Sequence, residues 1–200
     1  MILGVIGNAN SPNLFNRPYG IQRNSITNGI YIADGYNQRI MYYSIGSTNG
    51  TIVAGGNGPG INNNQLNNPL RLYFDAISNS LFIPNCNSNN VIRWVLGASN
   101  WTLVAGYLNG TNSTSSSGFC CPRDVALDPV GNVYVVDRNN HRVQFFSAGQ
   151  SDATTIAGIT SVFGSNDSLL NTPLHMTLDS QLNLYVSDNL NHRVQKFMRY

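Results

Sequence analysis

The fold of this chain is decided by residues 131–145, which read GNVYVVDRNNHRVQF. Gly131 and Asn132 are turn formers, and residues 133–136 after them are apolar at every position. Such a run predicts a strand that is buried on both faces. After a polar loop, residues 142–146 alternate as another strand with one wetter face, and residues 123–127 and 154–158 supply two more. The stretch therefore lies in a unit of four short β-strands.

The same unit occurs four times along the 200 residues. A proline opens each copy, and the four prolines are 51, 53 and 51 residues apart. Each copy also has an apolar residue three positions before the proline, Asn or Asp six positions after it, and a polar pair that flanks the loop between the second and third strands. The recurring residues are Pro18, Pro69, Pro122 and Pro173; Phe15, Leu66, Phe119 and Leu170; Asn24, Asp75, Asp128 and Asp179; and the pairs Asp34/Arg39, Asn85/Asn90, Asp137/Arg142 and Asp188/Arg193.

Four-stranded units that are apolar on both faces must pack on one another, as the blades of a β-propeller do. We therefore expect an all-β protein with a single propeller domain over residues 1–200. Its four four-stranded blades are expected at about 18–55, 69–106, 122–158 and 173–198. Residues 2–7 are similar to the fourth strands of the earlier copies, so this N-terminal strand is expected to complete the last blade and close the ring. The alternatives are a ring made by two chains and a piece of a longer array.

Composition excludes several other classes of protein. Only 10% of the residues are charged, Glu is absent, Lys196 is the single lysine, and Asn occurs thirty times. The chain is thus poor in the charged residues that exposed helices usually carry. This composition excludes a helical bundle and makes a Rossmann-type fold improbable. A net charge of +2 supplies no extended basic field, so nucleic acid is an unfavoured partner. No apolar run approaches the ~20 residues that span a bilayer, and the opening residues lack the features of a signal peptide. The composition leaves the compartment open and slightly favours an extracellular one.

Residues 131–145 and 182–197 resemble the NHL repeat, because each has Tyr-Val-x-Asp followed by Asn-His-Arg-Val. The first copy keeps the second motif as Asn-Gln-Arg-Ile at residues 37–40, and the second copy degrades it to Ser-Asn-Asn-Val at residues 88–91. The resemblance covers essentially the whole chain. It implies a β-propeller, usually of six blades, so four blades depart from the family pattern.

The polar residues of the motif are expected to be structural. We interpret each Asp and Arg as partners within one loop, because the copy that lost one of them lost both, as Asn85 and Asn90. The expected structural residues are Asp34, Arg39, Asp137, His141, Arg142, Asp188, His192 and Arg193. We interpret His141 and His192 as hydrogen-bonding residues of the same loops.

The second residue after each proline is a better candidate for binding. First strands are innermost in a propeller, so Gly20, Arg71, Asp124 and His175 should surround the mouth of the central channel. There Arg71, Asp124 and His175 could orient a ligand. The alternative is an ion pair between Arg71 and Asp124 of neighbouring blades, with His175 in solvent.

The long connections between blades are the other candidate binding surface. About fifteen residues, mostly Asn, Gly and Ser, precede each later proline. Connections of that length are usually mobile or functional, and they share one face with the loops between second and third strands. We therefore expect a non-catalytic scaffold that presents this face to a protein, peptide or glycan ligand, as a monomer or a two-chain ring. The first alternative is an RNA-binding NHL propeller. The second, ranked below it, is a metalloenzyme resembling peptidyl-amidoglycolate lyase.

No catalytic residue, metal site or cofactor is predicted. A metal site needs three or four converging ligands, and His175 is the single histidine expected at the centre. The cysteines allow a disulfide instead. Cys86 falls in a loop of the second blade, and Cys120 and Cys121 directly precede the first strand of the third. A bridge from Cys86 to Cys120 or to Cys121 is therefore possible and would indicate an oxidising compartment.

Overall fold

The computed structural model describes residues 5–6, 11 and 13–199, and they form an all-β chain. The strands are β1 (Val5–Ile6), β2 (Leu14–Phe15), β3 (Pro18–Arg23), β4 (Ile30–Asp34), β5 (Arg39–Tyr43), β6 (Thr51–Gly55), β7 (Tyr73–Asp75), β8 (Ser80–Asn85), β9 (Asn90–Val95), β10 (Thr102–Gly106), β11 (Pro122–Leu127), β12 (Val133–Asp137), β13 (Arg142–Phe146), β14 (Thr154–Gly158), β15 (Pro173–Leu178), β16 (Leu184–Asp188) and β17 (Arg193–Phe197). A single turn of 3₁₀-helix separates the second and third strands of every repeat.

The four repeats form the four blades of a β-propeller, which confirms the predicted fold class. Blade 1 (β3–β6), blade 2 (β7–β10) and blade 3 (β11–β14) are four-stranded antiparallel sheets, and blade 4 (β15–β17) has three strands within the described residues. The middle strands β8 and β12 are buried at every position, as continuous apolar runs predict. In blade 2 the innermost strand is short, and the chain before it contacts the sheet through a single bridge between Pro69 and Asn85.

A β-bulge follows the opening proline in three blades. The register of β11 against β12 shifts between Pro122 and Asp124, and β3 and β15 shift at the equivalent point. A bulge leaves one residue unpaired and redirects its side chain. Here the unpaired residues are Tyr19, Arg123 and Leu174.

Apolar clusters join each blade to the next. Tyr31 and Ile40 of blade 1 pack with Ile83 and Trp94 of blade 2. Equivalent residues join blade 2 to blade 3 and blade 3 to blade 4. Since a sheet buries both faces only between two neighbours, these clusters are the hydrophobic core of the molecule.

The N-terminal strand corrects one prediction. Val5–Ile6 pair in parallel with Leu14–Phe15, not with the last blade, and residues 2–4 and 7 lie outside the described residues. The pairing of Ile6 with Phe15 repeats the bridges between Pro59 and Leu66 and between Phe163 and Leu170. Residues 5–6 therefore take the position that follows a fourth strand. Within the described residues, no apolar cluster joins blade 4 to blade 1.

Candidate functional site

The Asp and Arg of the repeat form ion pairs inside one loop, as the sequence predicts. The Arg Nε atom lies 2.8, 2.9 and 2.8 Å from a carboxylate oxygen in blades 1, 3 and 4. The same carboxylates accept a hydrogen bond from the backbone N–H two residues before the opening proline, at 2.8, 2.8 and 2.6 Å. Each Asp therefore fixes its 3₁₀ turn against the start of its own blade.

The guanidinium groups also hold the long connections between blades. Arg142 donates to the backbone carbonyls of Thr114, Ser115 and Gly118 at 3.0, 2.8 and 2.9 Å. Arg39 and Arg193 bind carbonyls at the corresponding positions of their own loops. Composition alone predicts mobile or ligand-binding loops, but these loops are fixed by arginines that are buried in blades 1 and 3 and partly buried in blade 4.

Blade 2 lacks the ion pair and fixes its loop in another way. The side chain of Asn85 donates to Asn90 at 3.2 Å, where the other blades have Asp and Arg. Trp101 then holds the connection at residues 56–68: its backbone N–H donates to Asn63 at 2.8 Å, and its indole N–H donates to Gln65 at 2.9 Å. Both accepting groups are backbone carbonyls. Trp101 is a structural residue that the sequence motif did not indicate.

Burial gives the motif carboxylates different pKa values. Burial raises the pKa of Asp137 to about 6, although Cys120, Asn140 and Arg142 donate hydrogen bonds that oppose the shift. In blade 4, burial also acts to raise the pKa of Asp188, but hydrogen bonds from Asn171, Asn191 and Arg193 outweigh it and hold this pKa below its usual value. Charge on this motif is therefore less favourable in the middle of the molecule than at its end.

The histidines predicted to be structural follow the 3₁₀ turns in left-handed backbone conformation. His141 has φ 56° and His192 has φ 52°. The Nδ1 atom of His141 accepts a hydrogen bond from the N–H of Thr172 at 3.1 Å. Burial, together with the nearby charge of Arg138, lowers the pKa of His141 and favours the neutral ring that this bond requires. No hydrogen bond reaches the His192 side chain within the described part of the chain.

The innermost strands of all four blades line one groove of about 250 Å³. Blade 1 contributes Ile21, and the next three blades contribute Arg71, Asp124 and His175, in that order. The sequence placed these three polar side chains at the channel mouth, and the structure brings them to a common cavity. Gly20, the equivalent residue of blade 1, lies against Leu70 and Arg71, where an added Cβ would come within 2.8 Å of backbone atoms.

The pairing inside the groove differs from the Arg71–Asp124 ion pair that the sequence left open as an alternative. Asp124 pairs with Nδ1 of His175, not with Arg71. The Asp124 carboxylate also accepts the N–H of Met176 at 2.9 Å and that of Val125 at 3.0 Å. These amides lie on β15 and β11, so the carboxylate is satisfied where blades 3 and 4 meet. His175 remains half exposed, and none of the ion pairs between described residues includes Arg71.

A set of arginines surrounds the same end of the groove. We call Arg17, Arg71, Arg123 and Arg138 the arginine surface; the first three lie within two residues of an opening proline, and Arg138 lies in a 3₁₀ turn. Arg123 lies over the Tyr19 ring at 5.4 Å, and Arg17 lies over the Tyr36 ring at 4.4 Å.

The arginine surface is rich in uncompensated positive charge. Burial, with the positive charges of Arg138 and Arg71, lowers the pKa of Arg123 despite opposing effects from Tyr19 and Asp124. The buried Nε of Arg138 has no hydrogen-bond partner within the described residues. Sequence reasoning named only Arg71 of this set. No repeat signal marks the others, because the positions equivalent to Arg123 hold Tyr19, Leu70 and Leu174.

The cysteines lie where blade 2 meets blade 3. The sulfur atoms of Cys86 and Cys121 are 2.10 Å apart, and Cys120 is a free thiol near the side chain of Asn139. Leu70 packs beside the bridge.

Within the described residues, no three His, Cys, Asp or Glu side chains gather as a metal site. The described residues also include no helix of the length and apolarity that a bilayer crossing requires.

Comparisons with known proteins agree with the repeat pattern. The family model of the NHL repeat matches residues 119–146 and 170–197. NHL repeat-containing protein 3 of Mus musculus is 35% identical over 92 residues, which are 46% of this chain and 26% of that protein.

Solved structures show the same fold at low identity. An auxiliary nutrient binding protein from Bacteroides thetaiotaomicron superposes with a TM-score of 0.67 at 18% identity, over 88% of this chain and 46% of its own. A gluconolactonase from Xanthomonas campestris superposes with a TM-score of 0.69 at 13% identity, over 92% and 58%. The chain thus spans about a quarter of the mouse relative and about half of these structures. Blades 3 and 4 therefore carry NHL repeats, in a chain that folds as a β-propeller.

Proposed function

We propose that the chain is a non-catalytic binding module that holds a protein, peptide or glycan through an anionic group at the groove between its inner strands. The observation that carries the proposal is the state of the two charged residues there. Arg71 has no acidic partner within the described residues, whereas the Asp124 carboxylate is already bound by His175 and two backbone amides. The charge left available for a ligand is therefore positive.

The surroundings of Arg71 support an anionic ligand. Arg123 and Arg138 add positive charge at the same end of the groove, and charges at a protein surface attract most strongly where few counter-charges screen them. A guanidinium also binds carboxylate or sulfate through two parallel hydrogen bonds. One solved neighbour is an auxiliary nutrient binding protein, which is consistent with a binding role for this fold.

Calorimetric titration with matched acidic and neutral probes tests the proposal. The probes are tetra-aspartate against tetra-asparagine for peptides, and tetragalacturonate against tetragalactose for glycans. We expect at least one acidic probe to bind and its neutral counterpart not to bind. Arg71→Gln should weaken that binding at least tenfold. Arg23→Gln is the matched control, because it also removes one positive charge. Arg23 lies at the end of β3 that is away from Pro18 and the arginine surface. Equal binding by both variants, or no binding of either acidic probe, would overturn the proposal.

Single-stranded RNA is a second candidate ligand, favoured by one observation. Tyr19 and Tyr36 are 42% and 45% exposed beside Arg123 and Arg17. Exposed aromatic rings that alternate with arginines suit the stacking of unpaired bases. Filter binding of a random RNA pool over a salt series distinguishes the candidates. Tight retention that falls steeply with salt favours RNA, and weak retention favours the acidic peptide or glycan.

A further inference from the structure

Every described joint between two blades buries the same pair of apolar positions. The second residue of a third strand packs in one cluster with the fourth residue of the next innermost strand. The pairs are Ile40 with Leu72, Val91 with Val125, and Val143 with Met176. All six side chains are at most 5% exposed. These two positions therefore define the two halves of a joint.

A side chain also crosses each joint to a backbone amide. The left-handed residue after each 3₁₀ turn accepts a hydrogen bond from the residue just before the next opening proline. Gln38 accepts from Asn68 at 2.5 Å, Asn89 from Cys121 at 2.9 Å, and His141 from Thr172 at 3.1 Å. Three different side chains make the same contact, so it is a general feature of the joint.

Blade 4 and blade 1 carry the two unmatched halves of such a joint. Val194 occupies the position of Val143 but is 69% exposed, and Ile21 occupies the position of Met176 but is 66% exposed. His192 occupies the position of His141, and Arg17 that of Thr172. Within the described residues, neither the His192 side chain nor the Arg17 N–H has a hydrogen bond. Blade 4 thus has the exposed valine and the hydrogen-bond acceptor of a joint, and blade 1 has the exposed isoleucine and the N–H donor that would complete it.

We propose that two copies of this chain assemble into one eight-bladed ring. Blade 4 of each copy packs on blade 1 of the other, with Val194 against the partner's Ile21 and His192 accepting from the partner's Arg17. A twofold axis relates the two joints, so no half-joint remains open. Eight blades lie within the usual range for propellers. One solved structure of the same fold, the auxiliary nutrient binding protein, is also about twice as long as this chain.

The polar residues of blade 4 are compatible with this joint. Lys196 takes the position that Arg93 holds in blade 2, where Arg93 is partly buried and donates to Ser80 of its own blade at 3.0 Å. The outer part of the blade 1 face is already buried at Ile32 and Met41. The part available to a second copy is therefore the inner one, at Ile21. The assembly does not depend on the ligand proposed above.

Sedimentation equilibrium of the 200-residue chain tests the assembly. We expect a mass of twice 21.8 kDa that falls towards one chain on dilution. Val194→Asp should give a single chain of unchanged circular dichroism. Val130→Asp is the matched control, because Val130 is 74% exposed in a hairpin of blade 3 and away from the joint. Ile21→Lys should also give single chains, and the double variant with Val194→Asp should restore the pair by placing opposite charges across each joint.

Three outcomes of these measurements would contradict the two-chain ring. A single-chain mass at every concentration would overturn the proposal, as would an assembly larger than two chains. Dissociation of Val194→Asp and Val130→Asp to the same extent would show that the valine position has no special role.

Discussion

Arg142 binds more groups than its partner Asp137, and its removal should be correspondingly costly. Its guanidinium is 2% exposed and satisfies the Asp137 carboxylate and three loop carbonyls. Arg142→Met removes these donors and leaves the buried Asp137 carboxylate without its counter-charge, so we expect a loss of about 3–5 kcal/mol in the free energy of unfolding. Arg193→Met should cost less, because that side chain is 27% exposed and water can replace it. Urea denaturation of both variants measures the difference.

Blade 2 supplies the control for this prediction. Asn85 and Asn90 show that the loop can form around a neutral pair. The double variant Asp137→Asn with Arg142→Asn should therefore be more stable than Arg142→Met. An Arg142→Met protein as stable as the parent would contradict the assigned role of the guanidinium.

The carboxylates of blades 3 and 4 should give opposite pH dependences of stability. The pKa of Asp137 is raised to about 6 in the folded protein, so the folded state binds a proton more readily than the unfolded state. Its contribution to stability should fall as the pH rises from about 4 to 6. The lowered pKa of Asp188 gives the reverse: stability present above about pH 4 is lost as the pH falls further.

Unfolding free energies of Asp137→Asn and Asp188→Asn, measured between pH 3 and 7, separate the two groups. Asp137→Asn should remove the fall between pH 4 and 6, whereas Asp188→Asn should retain it. An unchanged profile in Asp137→Asn would refute the assignment.

Contacts within one loop could be predicted from the sequence, but contacts between blades could not. Asp137 and Arg142 are close along the chain. The replacement of both residues together in blade 2, by Asn85 and Asn90, indicates that they are partners. The partner of Asp124 depends on how one innermost strand is rotated against the next. That rotation favours His175 over Arg71, and no repeat pattern encodes it.

Among the structural elements, the long connections between blades depart most from what their composition predicts. Asn, Gly and Ser favour a mobile chain, yet each described connection is fixed by a buried or partly buried side chain. Their lengths were evident from the sequence. The carbonyl contacts of Arg142 and Trp101 were not, because backbone acceptors leave no residue signature.

Trp101→Phe should loosen one connection and leave its equivalent unchanged. The phenyl ring fills most of the buried site, but the hydrogen bond to Gln65 is lost, at a cost of about 1 kcal/mol. We expect faster proteolytic cleavage within residues 56–68 and an unchanged rate within residues 107–118, which Arg142 holds. Mass spectrometry of the first fragments measures both rates. Equal acceleration at the two sites would indicate general destabilisation instead.

The cysteine pair connects a loop of blade 2 to the start of blade 3, and its oxidation remains a prediction. Reduction and alkylation of the intact protein should add two more labels than alkylation alone, with Cys120 labelled in both cases. Cys86→Ser should then leave Cys121 free to react, with a loss of about 2–4 kcal/mol from the lost cross-link. Three labels before reduction would exclude the bridge.

At the scale of the whole molecule, the number of neighbouring blades should set the local stability. Blades 2 and 3 are covered on both faces, whereas Val194 of blade 4 is exposed on a face that has no neighbour in the described chain. In repeat architectures, stability grows with the number of packed neighbours. We expect amide hydrogen exchange to be slowest in β12 and β13 and faster in β16 and β17 when the protein is dilute.

Exchange at the end blade should also depend on concentration. If a second copy covers blade 4, protection of β16 and β17 must rise as the two-chain ring forms, while β12 and β13 change little. Val194→Asp should abolish that rise, and Val130→Asp should leave it intact. Hydrogen-exchange mass spectrometry at two concentrations follows all four strands in one experiment. Protection of β17 that stays constant while the mass doubles would locate the contact elsewhere on the surface, because a joint built like the other three must cover Val194.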